Sequence, residues 1–440
     1  KTIQVIPHIT DEIQDRIRDV AEKNGYYDVV ITEIGGTVGD IESLPFLEAV
    51  RQFALKAGRQ NAIFIHLTLI PYIKASGEIK TKPTQHSVMR LREIGIQPDI
   101  LLCRTESPLT HEAREKIGLF CNVTANAVIE AKDAETIYEI PLTFHKEKLD
   151  NLVIESLNLE CHDPDLDAWT QFVETVKNPA GEVEIAICGK YVDLPDSYKS
   201  IIEACTHAGV ENDARVDLTL VDAEDIEEKG AHDLLRGVSG ILVCPGFGNR
   251  GIEGKIEAAK YARESAIPYL GICLGMQCAV IEFARNVCGL EKANSSEFDS
   301  GSSNHVIDVM PDQRDLDNMG GTMRLGAYPC AITPGSLAHK IYQQEQVRER
   351  HRHRYELNNH YRAMLQEHGM QMMGIYPEKD LVEMIELPGH PWFLGVQFHP
   401  ELRSRVTKCH PIFRDFVRAA LEFDKSKQEE YLKAEVELDK

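Results

Sequence analysis

The chain contains 440 residues, which is enough for two or three domains with hydrophobic cores of their own. Its 43% hydrophobic and 27% charged residues are ordinary for a globular protein, and they exclude disordered, collagen-like and coiled-coil chains. The 48 Lys and Arg residues against 70 Asp and Glu give a formal net charge of −22. So acidic a surface repels phosphate backbones, and we expect no nucleic-acid partner.

The first third of the chain alternates helical and strand-like segments. Residues 11–23 have the charge pattern of a helix, and residues 28–34 predict a buried strand that ends in a Gly-Gly turn. Further strands are predicted over 62–70 and 99–102. Strand, glycine turn and helix in alternation predict an α/β fold with a doubly wound parallel sheet.

A second α/β series follows a polar, acidic and proline-containing connection. Its strands are predicted over 183–188, 217–221, 240–243 and 268–272. We therefore expect two doubly wound parallel-sheet domains. The predicted limits are 1–160 for the first domain, 161–181 for the linker, 182–423 for the second domain and 424–440 for a charged C-terminal tail.

The apolar segments and the cysteines of the chain indicate its cellular compartment. The longest apolar run, residues 62–73, is too short to cross a bilayer, and we find no signal peptide. The 11 cysteines include no Cys-x-x-Cys pair, so we expect neither a disulfide framework nor a zinc site. These patterns favour a cytoplasmic protein without membrane association.

Cys273 is the candidate nucleophile. It follows an apolar strand and precedes a helix-compatible run, with Gly271 two residues before it and Gly275 two residues after it. Paired glycines permit a tight strand-to-helix turn that places the sulfur at a helix N-terminus, where the dipole favours thiolate and N–H groups can bind an oxyanion. A buried structural role is commoner for any single cysteine, and the glycines make Cys273 the exception.

The candidate base is His399, within the sequence GVQFHPE (residues 395–401). Pro400 favours an extended His399, so His399 and Glu401 are expected to project on the same side of the chain. Glu401 would hold one imidazole nitrogen while the other faces the thiol, as in a catalytic triad. A lone histidine on a strand is usually structural, and Cys273 is what favours the catalytic role.

The motifs GICLGMQ (271–277) and FHPE (398–401) resemble those of the class I glutamine amidotransferase domain, where they carry glutamine hydrolysis. The resemblance implies oxyanion binding by the N–H groups of Gly246 and Leu274. A carboxylate and a guanidinium suit the two charged ends of an amino acid. The implied glutamine contacts are Gly246, Leu274, Gly275, Met276, Gln277, Glu297 and Arg354.

Four further stretches resemble CTP synthases, and this resemblance extends from residue 2 to about residue 424. They are EIGGTVGDIES (33–43), GEIKTKPTQH (77–86), GGTMRLG (320–326) and RHRHRYE (350–356). These enzymes are ligases of pyrimidine biosynthesis that make CTP from UTP, ATP and L-glutamine. The resemblance implies that a kinase-like domain phosphorylates O4 of the uracil ring, and that ammonia from glutamine displaces the phosphate.

The resemblance also implies nucleotide sites and regulators. Two lysines and a glutamine in an acidic chain suit a triphosphate and a base edge, although a KTK loop alone is more often solvated surface. Mg²⁺ is expected with ATP, and no organic prosthetic group is expected. A homotetramer, activation by GTP and feedback inhibition by CTP are also implied. The implied contacts are Asp40, Ile41, Glu42, Lys80, Thr81, Lys82, Pro83, Thr84, Gln85 and Lys116 for UTP and CTP, Lys132, Asp133 and Ala134 for the ATP adenine, and Glu33 for the metal.

Two departures from the family pattern matter. No Gly-x-x-x-x-Gly-Lys-[Ser/Thr] loop occurs and the sequence begins with Lys1, so we expect the family's first strand and phosphate loop to precede it. As given, the chain is expected to hydrolyse glutamine without binding ATP competently. Pro245 stands where most CTP synthases have Gly, which removes one backbone donor, and we expect activity to survive.

Two alternatives stay open. One is a glutaminase that feeds another acceptor, such as an anthranilate or guanylate precursor, although such enzymes need neither the DIE nor the KTKPTQ loop. The other is a catalytically incomplete regulatory or filament-forming subunit, which only the missing phosphate loop supports.

Overall fold

The computed structural model describes residues 2–22, 27–309 and 323–438. The chain divides into two compact units between Val173 and Glu174. The segment predicted as a linker, 161–181, contains a helix over Asp167–Lys177, so its polar composition does not make it an irregular connection. None of the helices in the described ranges is long and apolar enough to cross a membrane.

The first unit is α/β. Its helices are α1 (Thr10–Glu22), α2 (Leu44–Ala57), α3 (Lys82–Glu93), α4 (His111–Cys121), α5 (Ile140–Lys146) and α6 (Leu149–Ser156), and α7 (Asp167–Lys177) contains the boundary. Its strands are β1 (Ile65–Leu69), β2 (Tyr72–Ile73), β3 (Glu78–Ile79), β4 (Ile100–Thr105) and β5 (Val128–Lys132). Short helical turns cover Val5–Ile9, Ile41–Ser43, Ala125–Ala127 and Ile137–Glu139.

The sheet of the first unit has three parallel strands in the order β1-β4-β5, and β2 pairs with β3 as a separate hairpin. Leu101 and Val128 pack in its core with Val88 of α3 and Ile117 of α4. On the other face, Leu67 of β1 is 63% exposed, whereas Ile129 in the same row of β5 is 1% exposed, so this face is open at β1 and covered at β5.

The prediction of a strand over residues 28–34 is wrong. This segment forms neither helix nor strand, and Ile31 within it is 92% exposed. β-branched residues favour an extended backbone, but a strand also needs a hydrogen-bonded neighbour. No such neighbour pairs with this segment among the described residues.

The second unit is larger. Its helices are α8 (Lys199–Glu211), α9 (Ala223–Lys229), α10 (Ala231–Leu235), α11 (Ile252–Glu264), α12 (Leu274–Asn286), α13 (Leu337–Tyr342), α14 (Arg362–Glu367) and α15 (Pro411–Leu438). Its strands are β6 (Gly181–Gly189), β7 (Ala214–Asp222), β8 (Gly240–Val243), β9 (Tyr269–Ile272), β10 (Ala293–Ser295), β11 (Asn304–Val309), β12 (Arg324–Ile332), β13 (Gln346–His353), β14 (Tyr355–Leu357), β15 (Gln371–Tyr376), β16 (Leu381–Glu386) and β17 (Phe393–Val396). Short 3₁₀ turns cover Pro195–Tyr198, Asn359–Tyr361 and Pro400–Arg403.

A nine-stranded sheet with the order β13-β12-β15-β16-β17-β9-β8-β6-β7 organises this unit, and β10-β11-β14 form a smaller sheet. The half from β17 to β7 is parallel, as predicted. The half from β13 to β17 is antiparallel, so the prediction of a purely parallel sheet is wrong there. Strands that follow one another without long helices between them, as β15, β16 and β17 do, pair antiparallel.

The parallel half is buried on both faces. Ile241 and Val243 of β8 pack with α9–α12, whereas Leu242 packs with α8 and α15 on the opposite face. This arrangement confirms the predicted doubly wound α/β fold for the second unit. The tail predicted from residue 424 continues α15 as far as Leu438.

Candidate active site

Three neighbouring strands end at the candidate active site. The order β8-β9-β17 is continuous, and all three run parallel, so their carboxyl ends lie at one edge of the sheet. The turn 244–248 follows β8, Cys273 follows β9, and His399 follows β17. The N–H of Cys273 donates to Val396 O across 2.7 Å, which joins the nucleophile strand directly to the base strand.

The backbone at Cys273 is strained. Its φ of +52° and ψ of −101° lie in a region that L-residues rarely adopt, which costs about 1–3 kcal/mol. The flanking glycines have no room for a side chain. A Cβ on Gly271 would lie 2.7 Å from the Gly275 carbonyl carbon, and a Cβ on Gly275 would lie 2.2 Å from Val243 O. The turn therefore needs both glycines, as the sequence predicted.

His399 and Glu401 are in contact and buried, with exposures of 8% and 7%. Nδ1 of the His399 ring lies 2.7 Å from Oε1 of Glu401. The backbone N–H of His399 donates to Arg350 O at 2.8 Å. Glu401 reaches the ring from a short turn, Pro400–Arg403, and not from the extended chain that the sequence suggested. The turn still places both side chains together.

The imidazole of His399 is set up to carry a proton. Burial by itself lowers its pKa, but the Cys273 thiol and the Glu401 carboxylate act more strongly together and raise the pKa to about 10. Nε2 is buried and makes no hydrogen bond of ordinary geometry within the described ranges, yet the thiol is near enough to affect the ring. The arrangement favours an imidazolium beside the sulfur.

We expect His399 to stay protonated at neutral pH and to lose its proton near pH 10. The raised pKa means that its contribution to folding stability is present below pH ~6.5, the ordinary histidine value, and is lost as pH rises through the folded-state value. Nitrogen NMR shifts of labelled histidines measure this directly, with His399→Gln for assignment. His351 is the internal comparison, because burial and then His353 lower its pKa. A His399 titration at or below the ordinary value would contradict the assignment.

Two glutamines lie against Cys273. Gln397 Nε2 donates to Cys273 Sγ across 3.5 Å, and Gln277 Nε2 donates to Gln397 Oε1 across 3.1 Å. Gln277 also binds Tyr355 O at 3.0 Å, so its amide supports the site from within. Sequence reasoning missed Gln397, although it lies inside the GVQFHPE motif.

Gly246 and Leu274, the residues predicted to bind the oxyanion, are neighbours. A Cβ placed on Gly246 would lie 3.5 Å from Leu274 Cδ2, and Leu274 begins α12, where helix N–H groups lack intrahelical acceptors. Beneath the turn, the fully buried Lys255 donates from Nζ to Cys244 O at 2.6 Å, and burial lowers its pKa. Sequence reasoning missed this lysine as well.

A cavity of about 280 Å³ opens beside the turn and brings together the predicted glutamine contacts Glu297 and Arg354. Phe247, Met323 and Tyr355 complete its lining. Glu297 accepts a hydrogen bond from the N–H of Gly248 at 3.1 Å. Burial raises the pKa of Glu297, while Gly248, Lys190 and Arg354 act in the opposite direction.

The RHRHRYE motif forms β13 and the start of β14, with alternating burial. His351 and His353 face inwards, where His351 Nδ1 lies 2.8 Å from His353 Nε2. Arg324 lies nearby and binds Glu356 and Glu383 at 2.9 and 2.8 Å. No group of three metal-ligating side chains occurs in the described ranges, and residues 320–322 of the GGTMRLG motif lie outside them.

In the first unit, only Lys80 and Thr81 of the predicted pyrimidine loop lie between β3 and α3, and residues 82–85 form the first turn of α3. Lys80 Nζ lies 2.8 Å from Glu78 Oε2, and Lys116 of α4 is close enough that it helps Lys80 to lower the pKa of Glu78. Thr81, Lys82, Pro83 and Gln85 cap or begin α3, and Gln85 Nε2 donates to Thr81 Oγ1. Thr84 differs, because its buried hydroxyl donates inwards to Thr68 Oγ1 at 3.1 Å.

The remaining predicted contacts lie in loops of the first unit. Asp40 precedes the 3₁₀ turn of Ile41 and Glu42, and its carboxylate accepts the Thr37 N–H at 3.0 Å. Lys132 ends β5, and Ala134 follows Asp133, which pairs with Arg104 at 2.9 Å.

Glu33 is exposed in the segment that does not form the predicted strand. Within the described ranges it belongs to no group of three ligating side chains. One carboxylate does not bind Mg²⁺ by itself, since proteins usually hold this ion with one or two carboxylates together with substrate phosphates and water.

Comparison with known proteins agrees with the two halves of this description. Residues 1–159 match the family described as CTP synthase N-terminus, and residues 193–419 match glutamine amidotransferase class-I. The CTP synthase of Caldanaerobacter subterraneus subsp. tengcongensis is 59% identical over 421 residues, which cover 96% of this chain and 78% of the relative. The CTP synthase of Chlorobium luteolum is 58% identical over 424 residues, which cover 95% of this chain and 71% of the relative.

A solved structure, the glutaminase domain of Trypanosoma brucei CTPS with bound acivicin, is also similar to this chain. It is 40% identical, with a TM-score of 0.52, and the match covers 55% of this chain and 94% of that one. Its extent corresponds to one of the two α/β units, and the curated relatives span both. The chain therefore belongs to the CTP synthase family.

Proposed function

We propose that this chain takes part in the glutamine-dependent conversion of UTP to CTP, with the second unit releasing ammonia from glutamine. The observation that carries the glutaminase half is the Cys273–His399–Glu401 geometry at the carboxyl edge of β8, β9 and β17. The match of residues 1–159 to the CTP synthase N-terminus supports the acceptor half.

The thiolate of Cys273 attacks the γ-carboxamide carbon of glutamine. The former carbonyl oxygen becomes an oxyanion, and the N–H groups of Gly246 and Leu274 are its proposed donors, since Leu274 begins α12. Gln397 holds the sulfur from the side through its amide. Pro245 cannot donate, so the oxyanion depends on the two neighbouring N–H groups.

The imidazolium of His399 then gives its proton to the leaving nitrogen, and ammonia departs from a thioester on Cys273. The neutral imidazole next takes a proton from water, which attacks the thioester and releases glutamate. Glu401 holds Nδ1 throughout, which fixes the ring and favours its protonated form.

Glutamine is proposed to lie in the cavity beside this turn. Its α-ammonium group faces Glu297, and its α-carboxylate faces Arg354, since both side chains line the same cavity. The γ-carboxamide then points towards Cys273.

The experiment for the glutaminase is ammonia release from L-glutamine by the whole chain, with acivicin as the probe ligand. Wild-type protein should release ammonia, and acivicin should compete with glutamine. No release above the background of Cys273→Ala would contradict the proposal.

In the first unit, we propose that Lys80, Lys82 and Lys116 bind the triphosphate of UTP or of the inhibitor CTP. ATP with Mg²⁺ and activation by GTP are proposed with the family, as is a homotetramer. A glutaminase for another acceptor is not favoured by any observation, because the first unit matches the CTP synthase family itself.

Lys80→Ala is expected to weaken UTP and CTP binding about tenfold or more, because a charge-assisted phosphate contact is lost. Isothermal titration of the whole chain with each nucleotide measures the change. Lys229→Ala is the matched control, because both lysines form a 2.8 Å ion pair, Lys229 with Asp225 and Lys80 with Glu78. Their side chains are also similarly exposed, at 54% for Lys229 and 48% for Lys80. Equal binding by wild type and Lys80→Ala would remove this loop from the nucleotide site.

A further inference from the structure

Lys190 is a buried lysine that the catalytic mechanism does not use. It follows β6 and is only 2% exposed. Its backbone N–H donates to the hydroxyl of Tyr198 at 2.8 Å. A buried ammonium group is costly unless it is bonded, so its contacts show what it holds in place.

The ammonium group of Lys190 binds the turn next to the active site. Nζ donates to Phe247 O at 3.1 Å and also to Gly248 O. These two carbonyls belong to consecutive residues, and Gly248 has a φ of +75°, which L-residues with side chains rarely adopt. A charged donor shared by both carbonyls fixes the orientation of this turn.

The same turn holds the carboxylate of the glutamine cavity. The peptide between Phe247 and Gly248 turns its oxygen to Lys190 and its N–H to Glu297 Oε1, which lies 3.1 Å from the Gly248 nitrogen. One peptide group therefore connects the lysine to the carboxylate. If the lysine is removed, nothing in that chain of bonds keeps the N–H directed at Glu297.

We propose that Lys190 is a positioning residue for the α-ammonium end of glutamine, acting through the Phe247–Gly248 peptide on Glu297. This inference rests on the proposed glutaminase function and adds the residue that sets its preference for a substrate with an α-amino group. Lys190 itself does not touch the reacting atoms. Its positive charge also lies near enough to favour the ionised carboxylate of Glu297.

The test compares L-glutamine with glutaramate, the same amide without the α-amino group. In Lys190→Met, KM for glutamine should rise about tenfold, the loss expected for one charge-assisted contact, while kcat changes less than about twofold. Glutaramate makes no contact through an amino group, so its kcat/KM should stay within about twofold. The preference for glutamine over glutaramate should therefore fall severalfold.

Two controls separate positioning from general damage. Lys255→Met removes another buried lysine, which binds Cys244 O and not the 247–248 peptide. Whatever this change does to the overall activity, the preference for glutamine over glutaramate should stay at the wild-type value. A double-mutant cycle of Lys190→Met with Glu297→Gln should show non-additive effects on KM for glutamine, because both changes remove the same contact.

Lys190→Gln retains N–H donors on a neutral side chain that is one bond shorter, and it serves if Lys190→Met does not fold, as judged by circular dichroism. The proposal would be overturned if kcat/KM fell equally for glutamine and glutaramate. Additive effects of the two substitutions on KM for glutamine would also overturn it. Absence of ammonia release by the wild type would instead contradict the glutaminase function itself, so the two failures are distinguishable.

Discussion

Replacement of Cys273 by Ala is expected to lower glutamine hydrolysis by about 10⁴-fold or more, because no other group carries the acyl intermediate. The folded structure should persist, since the change removes only the sulfur of a residue that is 4% exposed and leaves the glycines of the turn in place. Ammonia release measures the activity, and thermal unfolding followed by circular dichroism measures the fold. Residual hydrolysis near the wild-type rate would exclude Cys273 as the nucleophile.

Covalent labelling tests the same assignment without a change in the nucleophile. A chloroketone analogue of glutamine should attach to Cys273 and to no other cysteine, as read by peptide mass mapping. Most of the others are buried, and burial raises the pKa of Cys188 and Cys278 to about 12. Cys161 is exposed, so the experiment uses a Cys161→Ser background, and an excess of L-glutamine should protect Cys273.

Part of the arrangement around Cys273 follows from local rules in the sequence. A strand that ends in Gly-x-Cys-x-Gly must turn sharply, and the carboxyl ends of neighbouring parallel strands lie together. Cys273 and His399 each follow such a strand. The sequence alone does not specify that β9 and β17 are neighbours, and the 2.7 Å bond from Cys273 N–H to Val396 O shows how closely they pair.

Lys190 and Gln397 could not be found in this way. Lys190 acts on backbone carbonyls of residues 57 and 58 positions further along the chain, and backbone carbonyls carry no residue-specific pattern. Gln397 lies 124 positions from the sulfur that it contacts. Contacts of this kind depend on tertiary structure, which periodicity and motif spacing do not describe.

The strand predicted over 28–34 failed for a related reason. Its β-branched residues describe a local preference for extended backbone, but pairing depends on another segment. In the second unit, the sequence patterns predict no strand between residue 272 and the one that precedes His399, so they do not describe the antiparallel half of the sheet.

Gly275→Ala is expected to destabilise the second unit by about 3 kcal/mol or more, because the new methyl group meets rigid backbone. The Cβ would lie 2.2 Å from Val243 O and 3.0 Å from Val243 C, and this oxygen belongs to β8, which is held between β9 and β6 inside the sheet. Neither α12 nor β8 can move away without disturbing the buried layers on both faces. Denaturant unfolding of wild type and variant measures the difference.

Gly181→Ala is the matched control, because the nearest atom to its added Cβ is the Ala214 side chain at 4.0 Å, an ordinary van der Waals contact. Its free energy of unfolding should stay within about 1 kcal/mol of wild type. If Gly275→Ala unfolds at the wild-type denaturant concentration, α12 is not packed against Val243 as described. The turn would then not hold Cys273 at the strained φ of +52°, and the account of the nucleophile would lose its structural basis.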